Sequence, residues 1–288
     1  MTQTWFITGS SRGLGRAVAD AALNRGDRVA ATARDPGQLC DLTDRWGDRV
    51  LPLRLDVTDP TQAKWALDQA VERFGGFDVV VNNAGYANVA AIEAADDDDV
   101  RAQFETNFWG VYNVSKAAIP QLRRGGRGLI MQISSIGGRA GGAPGLASYV
   151  AAKFAIDGFS RALRAELAPF GTRVLVVEPS GLRTDWAGSS MAVGDVDVAY
   201  ENTVGITRGR VLGGLGREGD PVRAAEILVS VAKRRHIPTQ LALGANAADL
   251  AIAQDRRLLE EDIRWRDVSR SADFGEEFPA SFPPDTNP

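Results

Sequence analysis

Tyr149-Val150-Ala151-Ala152-Lys153 sets a phenol and an ammonium four residues apart. On a helix that spacing puts both groups on one face, about 6 Å apart. A free phenol titrates near pH 10 and is a poor proton donor or acceptor at neutral pH. A neighbouring cation favours the phenolate and lowers that pKa. The pair is therefore a candidate general acid/base. This chain needs one that is not histidine. It holds a single histidine, His236, and a single cysteine, Cys40, which argues against Cys/His zinc sites and Ser-His-Asp triads and rules out an internal disulfide. Chance alone gives Tyr-x-x-x-Lys on the order of once in twenty such chains, so the pair gains meaning only from its surroundings.

Ile133-Ser134-Ser135 ends an apolar run. A hydroxyl at the carboxyl edge of a strand can donate to a substrate oxygen as charge develops on it. Asn82-Asn83-Ala84-Gly85 ends another such run. Asn107 falls inside a long helical pattern, an awkward place for asparagine unless it meets water or backbone.

Thr8-Gly9-Ser10-Ser11-Arg12-Gly13-Leu14-Gly15 follows the first apolar run and opens a helical one. Glycines serve a tight turn and close backbone approach, and the amides of the next helix N-terminus attract phosphate. The segment lacks the Gly-Lys-Ser/Thr ending of a nucleoside-triphosphatase loop. Dinucleotide folds select NAD or NADP near the end of the second strand, by an acidic residue for the ribose hydroxyls or a basic one for the 2′-phosphate. Here the acidic slot falls on Ala33, with Arg34 next and Arg12 within reach; guanidinium groups bind phosphate bidentately. Asp35 is the residue that would reverse this choice were the register one or two positions different.

Elements that could position these groups are visible as short apolar runs at 5–8, 28–33, 50–55, 77–81, 128–134, 173–177 and 238–243. Near-uniform apolarity is the mark of strands covered on both faces. Each gap is long enough for a crossover helix, so the chain predicts an α/β fold, a doubly wound parallel sheet of seven strands with helices on both faces. The acidic run 96–99 suits a helix start. Residues 184–219, rich in Gly, Ser and Thr, read as a mobile flap over the site. A C-terminal helix is expected over 247–267, supported by Arg256/Glu260, Arg257/Glu261 and Glu260/Arg264, then a proline-rich tail to 288. The expected division is one catalytic domain, 1–245, with 246–288 packed on it or extending from it.

The 288 residues are 44% hydrophobic and 24% charged, a globular balance. Net charge of −4 argues against nucleic acid and anionic membrane as partners, and no apolar run approaches the roughly 20 residues of a bilayer span. The N-terminus shows no basic region or cleavage site, so a cytoplasmic location is expected.

Together these motifs resemble the short-chain dehydrogenase/reductase family, over residues 4–244. They stand in the family's order: residues 8–15, Leu55-Asp56-Val57, Asn82 to Gly85, Asn107, Ser135, Tyr149 with Lys153, and Pro179 with Thr184. The resemblance implies a Rossmann-type sheet and a hydride-transferring oxidoreductase. It implies that Tyr149 is the acid or base, that Lys153 holds the nicotinamide ribose and depresses the tyrosine pKa, and that Ser135 is the catalytic serine. Asn107 would hold a water linking Lys153 to solvent. Gly9, Ser11, Arg12, Gly13, Leu14 and Gly15 would cradle the phosphates. Asp56 and Val57 would meet adenine, Asn83, Ala84 and Gly85 its ribose, and Pro179 and Thr184 the carboxamide. Two positions depart from the family pattern. Ala152 replaces a serine, and Ser180 replaces the glycine after Pro179.

The expected function is NADP(H)-dependent exchange between a ketone and a secondary alcohol. A catalytically silent NADP(H)-binding sensor is the alternative, and a sugar-nucleotide epimerase a more distant one. Substrate contacts are expected from Ser135, Tyr149, Ser180 and Trp186. Trp109, Met191 and Tyr200 are further candidates for an apolar pocket, with a core position the other reading of Trp109. His236 reads as a charge at a helix C-terminus and Cys40 as an inert thiol. The helical regions 100–121 and 149–168 resemble the family's dimerising pair, so a homodimer or homotetramer is expected.

Overall fold

A computed structural model describes residues 2–184, 191–213, 218–275 and 282–284. All seven expected strands form: β1 (Thr4–Ile7), β2 (Arg28–Ala33), β3 (Val50–Arg54), β4 (Val79–Asn82), β6 (Leu129–Ile133), β7 (Arg173–Pro179) and β9 (Gln240–Leu243). They pair in parallel throughout, in the order β3-β2-β1-β4-β6-β7-β9. The order reverses between β1 and β4, which opens a crevice at their carboxyl ends.

Alternation along the strands divides the core in two. Trp5, Ile7, Val29, Ala31, Val79, Val81, Leu175 and Val177 face helices α1 (Gly13–Asn24) and α9 (Pro221–Ala232). Phe6, Ala30, Val80, Ile130 and Val174 face α3 (Pro60–Phe74), α5 (Gly110–Gly125) and α7 (Ala147–Leu167). Covering on both faces is why the strands read as unbroken apolar runs. Buried Asp27 accepts from Gln3 N–H, Trp5 Nε1–H and the Lys233 ammonium, tying the entry of β1 to the end of α9.

The remaining helices are α2 (Cys40–Trp46), α4 (Asp97–Phe104), α6 (Gly137–Ala140), α8 (Ile206–Leu212) and α10 (Ala245–Arg270). The acidic run does begin a helix: Asp96 caps α4 through Asp99 N–H. Between α4 and α5 the chain makes one π-helical turn, Glu105–Trp109, and Asn107 lies within it. A second, two-stranded parallel sheet joins β5 (Ala87–Val89) to β8 (Met191–Val193). The expected flap therefore contains ordered structure, and its base is tied by a bridge between Leu182 and Gly219. Of the pairs expected on α10, Arg257–Glu261 forms at 3.8 Å.

Two expectations are corrected. Helix α9 ends at Ala232, so His236 lies in the following loop rather than at the helix terminus. Trp109 is 44% exposed, not a core residue; it packs edge-on against Phe108 and Tyr112 on the outer face of the α4–α5 region. Cys40 is unpaired and exposed. No described helix is long and apolar enough to cross a membrane.

Candidate active site

Asn83 ties the switch point together. Its Nδ2 donates to the carbonyls of Thr8 (2.9 Å) and Gly9 (3.1 Å), while Thr8 Oγ1 accepts from the N–H groups of Asn83 and Ala84. Gly9 and Gly13 sit at φ +65° and +61°, where a side chain is strained. Gly15 is required for a different reason: a Cβ there would lie 2.4 Å from both Asn83 Nδ2 and the Gly9 carbonyl. The turn so formed delivers the chain into α1 with no side chain of Arg12 capping the helix. The first N–H groups of α1 are thus presented to the cleft, a suitable seat for phosphate oxygens.

One cleft of about 1350 Å³ runs along this edge of the sheet. That exceeds the 300–1,000 Å³ or so of a pocket for a single small ligand and leaves room for a dinucleotide with a substrate. At one end it is lined by Ser11, Arg12, Gly13 and Leu14 of the turn, by Arg34, and by Asp56 and Val57. Ala33 ends β2 and is buried, so no carboxylate occupies the acidic slot. Asp35 also borders the cleft, but its Oδ1 accepts from Gly37 N–H at 2.9 Å and caps a short 3₁₀ turn. Asp56 is held by Thr58, whose N–H and hydroxyl both donate to its Oδ1.

The lining continues with Asn83, Ala84 and Gly85, then Ser135, Tyr149 and Lys153, and also includes Pro179, Ser180 and Thr184, the last beside Gly13. Tyr149 hydrogen-bonds Ser135. Ser135 Oγ in turn accepts from Gly137 N–H at 3.1 Å, which orients the hydroxyl. Ser134 is spent elsewhere: its hydroxyl donates to the Lys153 carbonyl at 3.3 Å. Lys153 Nζ donates to the Ile133 carbonyl at 2.7 Å and lies 5.6 Å from the centre of the Tyr149 ring.

Burial controls both titrations. It lowers the Lys153 ammonium to about 8. It pushes the Tyr149 phenol up to about 12, with the Ser135 hydrogen bond pulling the other way. The expected depression of the tyrosine by the lysine is therefore not what this geometry gives. The phenolate would be desolvated, and the ammonium is directed at a backbone carbonyl.

Asn107 and Gly15 do not line the cleft but stand behind it. Asn107 is fully buried, accepts from Tyr86 N–H (3.0 Å) and donates to the Tyr86 carbonyl (2.8 Å). Its amide is thus committed to the backbone after β4. A Cβ on Gly85 would meet Asn107 Oδ1 at 2.8 Å and Lys153 Nζ at 3.7 Å, so only glycine fits between them. Of the expected pocket residues, Met191 lines the cleft and Tyr200 packs among the apolar residues beside Tyr149; Trp186 lies outside the described residues. The sequence alone did not single out Leu146, Asn246 or Leu250, which complete the wall near Tyr149 and Ser180. The helix expected over 247–267 from its i,i+4 charge pairs was the one available signal, and it did not say which end of that helix meets the site.

The fold, the glycine turn and the Ser-Tyr-Lys grouping define a nucleotide-dependent oxidoreductase, and residues 3–192 match the family of short chain dehydrogenases. The chain belongs to that family and is an NAD(P)-dependent short-chain dehydrogenase/reductase. It is 49% identical over 271 residues to an oxidoreductase, BOA17, of Botryotinia fuckeliana, covering 93% of this chain and 98% of the relative. A short-chain dehydrogenase from Streptomyces avermitilis superposes with a TM-score of 0.88 at 36% identity, covering 94% of this chain and 98% of that one. An alcohol dehydrogenase from Thermococcus sibiricus, solved with 5-hydroxy-NADP, superposes with a TM-score of 0.69 at 27% identity, covering 84% and 96%.

Proposed function

We propose that this enzyme uses NADPH to reduce a medium-sized, largely apolar ketone to a secondary alcohol. The observation that carries the reading is Tyr149, hydrogen-bonded to Ser135 beside buried Lys153, in a cleft that is also lined by Gly9, Ser11, Arg12, Gly13 and Leu14 of the glycine turn. A bound nicotinamide supplies the hydride. Tyr149, protonated at neutral pH, holds a proton for the carbonyl oxygen, and Ser135 orients that oxygen. Lys153 holds the nicotinamide ribose and keeps positive charge near the phenol. Asn107 acts by fixing Tyr86 and Gly85, which border the site.

The turn residues Gly9 to Gly15 hold the pyrophosphate; Asp56 and Val57 hold the adenine; Asn83, Ala84 and Gly85 its ribose. Pro179 and Thr184 meet the carboxamide. Preference for NADP over NAD rests on Arg34 lining the cleft while Asp35 is engaged with Gly37. The Thermococcus sibiricus relative, solved with an NADP derivative, is consistent with it. An apolar substrate is favoured by Leu146, Val150, Met191 and Leu250, with Ser180 a polar residue of the same lining. Reduction is the direction that an NADPH preference favours. The same reading places the enzyme in the cytoplasm as a homodimer or homotetramer. Exposed Trp109 and Phe154, on the α4–α5 region and α7, supply an apolar subunit contact.

The test is stoichiometric oxidation of NADPH, and separately of NADH, against a panel of ketones graded by size. Turnover with NADPH and apolar ketones supports the reading. Binding of NADPH without turnover on any carbonyl would instead identify a silent cofactor-binding sensor.

A further inference from the structure

Glu178, next to Pro179 at the end of β7, is a carboxylate only 1% exposed. A carboxylate taken out of water needs partners, and it has two. Gln240 Nε2 donates to one oxygen at 3.1 Å and Arg139 Nη1 to the other at 3.1 Å. Arg139 is thereby pinned. Its remaining edge reaches Asp255 of α10 in a two-pronged contact, Nε at 3.1 Å and Nη2 closer. Two-pronged guanidinium–carboxylate pairs fix orientation as well as distance.

Arg139 lies in α6, four residues after Ser135, in a segment already held to β7 by the Ile136 N–H on the Pro179 carbonyl. Helix α10 has little else to hold it: across 26 residues only Ala247 and Ala251 are buried. Yet Asn246 and Leu250, in its first two turns, line the cleft, and Gly244 before them packs on Ser180.

Resting on the reductase reading above, we propose that Arg139 is a positioning residue. By grasping Glu178 and Asp255 together it clamps α10 to the loop carrying Ser135, so that Asn246 and Leu250 form a fixed wall of the ketone pocket. The clamp sets which ketones fit and leaves cofactor binding alone.

The test variant is Asp255→Ala, with Asp255→Glu as the conservative control. Asp255 is about half exposed and touches no part of the cleft, so the fold should survive. Hydrogen exchange by mass spectrometry should show the amides of residues 246–258 exchanging about tenfold faster in Asp255→Ala, the scale of losing one charge-assisted contact, with partial return in Asp255→Glu. KM for bulky ketones should rise about tenfold in Asp255→Ala while kcat and the KM for NADPH stay within about twofold, as expected for loss of uniform substrate binding. Unchanged exchange in 246–258 would overturn the clamp, as would equal changes in the KM for ketone and NADPH. Should the unmodified enzyme reduce no ketone, the reductase reading falls, and the exchange measurement still decides whether Asp255 holds α10.

Discussion

Replacing Lys153 by methionine should make the cofactor-free protein more stable at neutral pH while abolishing its catalysis. Lys153 is 4% exposed, and burial lowers its ammonium from 10.5 to about 8. That difference makes the charged form about 3 kcal/mol less favourable in the folded protein than in the unfolded chain. Methionine removes this cost but leaves the Ile133 carbonyl without its 2.7 Å partner, a loss of about 1 kcal/mol. The net expectation at pH 7 is a gain of roughly 2 kcal/mol. The sign of the pH dependence follows from proton binding. Below pH 8 the lysine is charged in both states and the full cost is present. Between 8 and 10.5 the unfolded chain binds the extra proton, so stability of the unmodified enzyme rises with pH. By pH 9.5 only about 1 kcal/mol of the cost remains and the two proteins should be nearly equal. Urea unfolding of both proteins at pH 7, 8.5 and 9.5, without cofactor, reads this directly. A variant less stable at pH 7 by an amount that does not change with pH would refute the reasoning, because burial would then not be acting against the charge.

Four further outcomes are expected. Tyr149→Phe should lower kcat by two to four orders of magnitude, the usual worth of a general acid, with NADPH affinity by fluorescence titration unchanged. Arg34→Ala should weaken NADPH binding roughly 10- to 100-fold, the scale of a charge-assisted phosphate contact, and leave NADH nearly unaffected; equal losses for both coenzymes would defeat the assignment. Gly15→Ala drives a Cβ to 2.4 Å from Asn83 Nδ2 and the Gly9 carbonyl, so calorimetry should show both coenzymes bound at least about tenfold more weakly as the turn is displaced. Asp27→Ala strands the buried Trp5 indole N–H and the Lys233 ammonium, and denaturant titration should show a loss of about 3 kcal/mol.

The seven strands were legible because both faces of each are covered, so hydrophobicity was continuous and needed no periodicity to find. The glycine turn, Asn83, Ser135 and the Tyr149–Lys153 pair were legible because their chemistry constrains local spacing. What escaped the sequence depends on contacts far apart in the chain. Strands β5 and β8 have three residues each and carry no pattern; they exist because each supplies the other's partner. The titration of Tyr149 could not be had from i,i+4 spacing, since the lysine's ammonium turns to the Ile133 carbonyl and desolvation wins. Arg139, Glu178 and Asp255 are unremarkable in sequence; only the fold brings a loop, a strand end and the C-terminal helix to one guanidinium.

The π-helical turn at Glu105–Trp109 amounts to one surplus residue in an otherwise continuous helix. Each residue advances an α-helix by about 100°. Removing any one residue there would let the helix run on regularly and rotate everything upstream of it by about that angle relative to α5. Asn107 would swing off the Tyr86 backbone, and Gln103 and Asp99 would leave Ser148 and Asn88. Length in this turn is therefore as constrained as side-chain identity. A deletion that preserves every residue assigned to the chemistry should still misalign the loop carrying Gly85, whereas a deletion at the exposed end of α10 should pass almost unnoticed.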